Sequence, residues 1–166
     1  MQKTIAQLPE IKLVGITSRT NNTALLFEDH PSDGKIAATM QQYFQQGLMN
    51  KMQHRKNPGT TFCVYTNYES DFKGDYTYFI GEEVDTFDEQ DEALERLLIP
   101  LQNYAKFTNR PGPMPDVCIN MWQAIWQMDA SDLGGERAYI SDFEIYDARS
   151  ADYNNAILDI YVGINK

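Results

Sequence analysis

Glu144 stands in the middle of a strand-like run, Ser141-Asp142-Phe143-Glu144-Ile145-Tyr146-Asp147. Strand alternation sends Phe143 and Ile145 to one face, and Glu144 with Tyr146 to the other. An acid beside a tyrosine is either the wet side of a sheet or the floor of a pocket. As a pocket floor it suits one chemistry well. A carboxylate ringed by Tyr and Trp faces holds a lipophilic cation, each ring contributing about 0.5–2 kcal/mol.

Other chemistries find little support. His30 and His54 are the two histidines, and Cys63 and Cys118 lie in apolar patterns instead of at metal-ligand spacing, so no metal and no cofactor is expected. There is no glycine-rich phosphate loop, no CxxC and no serine nucleophile motif. The net charge of -10 repels phosphate backbones and favours a cationic small molecule or a basic partner over nucleic acid. No signal-peptide pattern and no membrane-length apolar run is present, so a cytoplasmic chain with reduced thiols is expected, with no membrane role. Asn21-Asn22-Thr23 fits a glycosylation acceptor, without any sign of secretion.

The elements that must position Glu144 read twice along the chain. Strand signals at Ile11–Thr17, Thr61–Tyr68 and Asp75–Val84 enclose a helix stripe of Ile36, Met40, Tyr43, Phe44, Gly47 and Leu48. The order returns in strands at Leu101–Thr108, Arg137–Asp147 and Asn155–Ile164 around a stripe of Cys118, Met121, Trp122, Ile125 and Met128, with Asp116 placed as its cap. Phe62–Thr66 (FCVYT) lies over Phe143–Asp147 (FEIYD), and Phe79-Ile-Gly81 over Tyr161-Val-Gly163. The expected fold class is α+β: duplicated β-α-β-β modules related by a pseudo-twofold in one domain, 1–166. Repeat 1 spans about 11–84, an acidic linker with a short helix at Ala93–Leu98 spans 85–99, and repeat 2 spans about 100–164. The linker acids read as a solvated face, and Lys51, His54, Arg55 and Lys56 as cations beside a helix end.

Phe62 and Val64, like Phe143 and Ile145, are expected to face the helices. Cys63, Tyr65, Glu144 and Tyr146 then face a cleft between the repeats, with Glu144 replacing the small Cys63 at an equivalent position. Strand parity adds Phe79 and Tyr161 to that cleft, and Trp122 reaches it from the second helix. Tyr76 and Tyr78 fall on the opposite parity and read as core, unless a bulge breaks the parity; Tyr43, Phe44 and Trp126 read as core as well.

The order of elements, the segment Tyr65–Val84 (YTNYESDFKGDYTYFIGEEV) and the late FEIYD resemble the GyrI-like, AraC-type effector-binding domain over about Ile11–Ile164. The chain looks most similar to the stand-alone, integron-associated type, with no room for a helix-turn-helix module. The resemblance implies a cleft between repeats for cationic aromatic compounds, with Glu144 matching the family's counter-charge. It also implies a role in ligand-responsive transcription through a separate regulator protein, or in drug sequestration. Two alternatives stand beside this: a hydrolase of cyclopropane-type toxins using Glu144 as general base, and an acidic module binding a basic macromolecule.

Overall fold

Short β-branched and aromatic runs, broken by Pro, Gly and Asn, build a chain dominated by strands. The computed structural model describes residues 1–22 and 34–166; Thr23 of the Asn-Asn-Thr motif and His30 lie outside them. The first half comprises β1 (Gln2–Leu8), β2 (Ile11–Thr20), α1 (Lys35–Gln45), β3 (Thr61–Thr66) and β4 (Tyr76–Glu83). The second comprises β5 (Glu95–Ile99), β6 (Gln102–Thr108), α2 (Asp116–Trp126), a four-residue helix α3 (Ala130–Leu133), β7 (Glu136–Arg137), β8 (Ser141–Tyr146) and β9 (Asp159–Asn165).

All the strands join one sheet in the order β1-β6-β9-β8-β3-β4-β2-β5, with β7 beside β9. The order β6-β9-β8 mirrors β2-β4-β3, and the copies meet where β3 runs antiparallel to β8. This is the duplicated β-α-β-β arrangement, fused edge to edge through its central pair. Two strands lie outside that expectation. β1 precedes the first module but pairs with β6 of the second, while β5 precedes the second and pairs with β2 of the first. Glu95–Ile99 is therefore an outer strand, not the end of a linker helix. Its Glu, Arg and Leu residues favour a helix locally, and pairing with β2 overrides that preference.

Both helices cover the same face. Tyr43 of α1 packs with Val14, Cys63, Tyr78 and Ile80, and Met121, Trp122 and Ile125 of α2 pack with Ala105, Phe107, Ile160 and Val162. The opposite face buries Leu13, Phe62, Val64, Phe79, Tyr104, Phe143 and Tyr161, and among the described residues this cluster is built from strands. The expected assignment of faces is thus reversed. Phe62, Val64 and Phe143 point away from the helices, while Cys63, Tyr65, Glu144 and Tyr146 lie beneath them.

Local details follow the same chemistry. Gly47, just past α1, takes φ 57°, a left-handed conformation that suits glycine at a helix end. Asp116 is the first residue of α2 and not its cap; the cap position is Pro115. Phe44 is half exposed instead of core. Three of the four basic residues after α1 pair with acids: Arg55 with buried Glu82 at 2.8 Å, Lys56 with Glu83 at 3.5 Å and His54 with Glu89 at 3.1 Å.

Candidate functional site

At the seam between the two copies, Cys63 of β3 is the register partner of Glu144 of β8. The helix-side face of this pair lies under both helices, so Glu144 is almost fully buried, at 2% exposure. A carboxylate taken out of water must have its lone pairs met. Four neutral donors do this. Tyr146 Oη donates to Oε1 at 2.6 Å; Tyr65 Oη and Trp122 Nε1 donate to Oε2 at 2.6 Å each, and Cys118 Sγ at 3.3 Å. One strand from each copy thus supplies a tyrosine, and α2 supplies Cys118 and Trp122, which share a helix face by their spacing of four.

The donors are held in their protonated, donating forms. Burial, and after it the Glu144 charge, pushes the Tyr65 hydroxyl and the Cys118 thiol well above their ordinary ranges. Burial together with Cys118 and Glu144 does the same to Tyr146. Cys63 rises for the same first cause, and its sulfur accepts from Tyr78 Oη at 3.2 Å. Both cysteines are free.

Among the described residues, none brings a cation to the site. Four carboxylates are buried among the described residues: Glu82, Asp142, Glu144 and Asp159. Arg55 pairs with Glu82 at 2.8 Å, Arg137 with Asp142 at 2.6 Å and Arg149 with Asp159 at 2.6 Å. Among these residues Glu144 has hydrogen bonds and no ion pair, so its carboxylate is the one that no described arginine neutralises. Its oxygens are unequal as well, since Oε2 accepts three bonds and Oε1 one.

Two hollows flank this carboxylate. The larger is a cleft of about 770 Å³, with Met40 and Phe44 of α1 on one side, Cys63, Ile80 and Tyr146 on its sheet side and Tyr153 at its margin. The smaller, about 30 Å³, is enclosed by Tyr65, Tyr68, Phe72, Tyr76, Trp122 and Trp126, with Arg137 in its wall. Tyr65 and Tyr146, equivalents in the two copies, therefore line different hollows while bonding the same acid.

The expected site residues separate accordingly. Glu144, Tyr146, Tyr65, Trp122 and Cys63 are brought together, but Tyr65 and Trp122 border the small hollow and Cys63 with Tyr146 the large one. Phe79 and Tyr161 do not join them. They lie on the opposite face, where Tyr161 stacks on Phe143 at 4.8 Å between ring centres, and Phe79 is buried with Phe62 and Val64. The register explains this, because Tyr78, not Phe79, faces Tyr65 across the β3–β4 pair. Tyr76 and Tyr78 accordingly lie on the Glu144 face. Cys118 and Arg137 were not anticipated. The spacing of Cys118 to Trp122 could have revealed the first; only the pairing of Arg137 with Asp142 reveals the second.

Comparison with known proteins agrees with this architecture. The profile of a family described as integron-associated effector binding protein matches residues 4–164. YobU of Bacillus subtilis (strain 168), named as a candidate transcriptional regulator protein, is 31% identical over 98% of this chain and 97% of its own. An integron cassette protein from the mobile metagenome of Vibrio cholerae superposes with a TM-score of 0.74 at 23% identity, covering 98% of this chain and 95% of its own. SAV2435, solved bound to tetraphenylphosphonium, gives 0.72 at 16% identity, covering 99% and 94%. At these identities the two structures establish a shared fold.

Proposed function

The chain belongs to the integron-associated effector binding protein family, and on that premise we propose that it binds lipophilic organic cations in the large cleft, with Glu144 as counter-charge. The observation that carries this is the charge of Glu144, which no described arginine neutralises, beside three other buried carboxylates that each hold an arginine. Volume supports the choice of cleft, because about 770 Å³ lies in the range of drug-sized sites. Electrostatics supports it too: Oε1, bonded by Tyr146 alone, is the oxygen with lone pairs to spare. A cation over the Tyr146 ring gains from the ring face and from the charge beneath it. The neighbour solved with tetraphenylphosphonium makes that compound a sensible first probe. The output of binding, sequestration or a signal to a separate regulator, follows from occupancy of this cleft.

The test is Glu144→Gln, titrated with tetraphenylphosphonium and with neutral triphenylphosphine oxide. The substitution weakens the cation by about tenfold or more, or 1.4 kcal/mol, and leaves the neutral compound within about twofold. Equal affinity of parent and variant for the cation removes the counter-charge role.

A further inference from the structure

The small hollow has a polar end that the cation-binding reading does not use. Arg137 lines it, and its side chain is 8% exposed. Its Nη2 is spent on Asp142, but Nε and Nη1 are buried with no hydrogen-bond partner among the described residues. Burying guanidinium N–H groups unsatisfied is costly, and each is a donor in search of an acceptor. The guanidinium is also fixed in place. Tyr139, at the strained backbone angle φ 51°, sets its ring 4.3 Å from Arg137 Cζ, and Tyr68 Oη joins Arg137 on Asp142 Oδ2.

Charge decides what acceptor this end takes. Arg137 and Asp142 neutralise each other, so an anion here would be a new buried charge with no partner. A neutral acceptor, such as a ketone or amide oxygen, meets the free N–H groups without that penalty. The remaining walls are mostly rings, together with Ile36 and the Asn22 amide, which is already bonded to Phe72 and Tyr76. Phe72 and Trp126, both half-buried, stack nearly parallel, 8° apart with centres 5.3 Å apart. Two loosely enclosed parallel rings on different elements can part to admit a third flat one.

We infer that this hollow, water-sized at about 30 Å³ while Phe72 and Trp126 are stacked, opens into a second binding site for a small neutral aromatic carbonyl compound, whose ring separates Phe72 from Trp126 and whose oxygen accepts from Arg137. It is distinct from the cation cleft, from which Tyr65, Glu144 and Tyr146 divide it. It also carries its own reporters, because both tryptophans of the chain border it.

Acetophenone and α-methylstyrene share shape and differ in carrying a C=O or a C=CH2 group, so calorimetric titration of the unaltered chain with both isolates the acceptor. Acetophenone binds about tenfold more tightly, and shifts the indole N–H signals of Trp122 and Trp126 in NMR spectra. The preference falls to within about twofold in Arg137→Lys, which keeps a cation for Asp142 but removes the guanidinium donors. It persists in Phe44→Ala, which alters a wall of the large cleft alone, so loss of cation binding and loss of this site are separate results. Equal affinity of the two compounds for the unaltered chain means that water satisfies Arg137, and overturns the inference. So does binding that leaves both indole signals in place, or a preference that survives in Arg137→Lys. Should that variant unfold, Trp126→Ala takes its place, with weaker acetophenone binding expected and unchanged binding counting against the site.

Discussion

Cys63 and Glu144 face each other across the β3–β8 register and occupy equivalent places in the two copies of the motif, Phe62–Thr66 and Phe143–Asp147. The pseudo-twofold axis therefore passes through this pair. A duplicated fold places like beside like on its axis, and here the likeness is broken. One copy contributes a small thiol and the other an acid, so the symmetric tyrosines Tyr65 and Tyr146 converge on a single charge.

Removing either tyrosine hydroxyl strips a donor from a buried carboxylate. Tyr65→Phe and Tyr146→Phe are each expected to lower stability by about 1–3 kcal/mol, the penalty for an unmet buried group. Because both bond one acid, the double variant departs from the sum of the singles. Urea unfolding of the four chains measures the coupling, and strict additivity would show that the two bonds act independently.

Alkaline pH should act through the same groups. Burial pushes Tyr65, Tyr68, Tyr78 and Tyr146 well above the ordinary tyrosine value, and Tyr104 up to about 12. Unfolded, each ionises near 10. The fold holds these protons more tightly, so their stabilising contribution is complete below about pH 10 and is lost as pH climbs above it. Tyrosinate absorbance should show these side chains ionising together with loss of tertiary structure. Their ionisation near pH 10 in a still-folded chain would contradict the burial.

The two glycines aligned by the repeat should respond differently to a methyl group. A Cβ on Gly81 would sit 1.9 Å from the Val14 carbonyl oxygen, beside Gly15, its register partner. One on Gly163 would meet the side-chain amide of Gln102 at 2.6 Å. Backbone cannot step aside as a side-chain end can. Gly81→Ala is expected to cost about 3 kcal/mol or more, and Gly163→Ala about half as much. Thermal unfolding of both decides it, with equal losses arguing against the distinction.

The repeat and the clustering at Glu144 were legible because they rest on local signals: strand alternation in FCVYT and FEIYD, and helical spacing around Trp122. Which face the helices cover was not. Both faces of β3 and β8 are buried, Phe62 and Val64 as fully as Cys63, so alternation divides the residues without saying what covers each set. Phe79 and Tyr161 were misplaced for a related reason, since the register of the hairpin partner sets their side. β5 was hidden because Glu95–Ile99 is a strand only by virtue of β2. The Arg137–Asp142 pair depends on the short β7 lying against β9 at Ile164, a contact with no local trace.

The exchange of β1 and β5 makes each half incomplete without the other. A cut in the segment between Glu83 and Glu95 would leave one piece holding the border that finishes its counterpart, and the reverse. Neither piece has a sealed margin by itself, so the fragments should be partners for reassembly instead of two autonomous folding units. The two hollows, built across the join, would exist only after they had reunited.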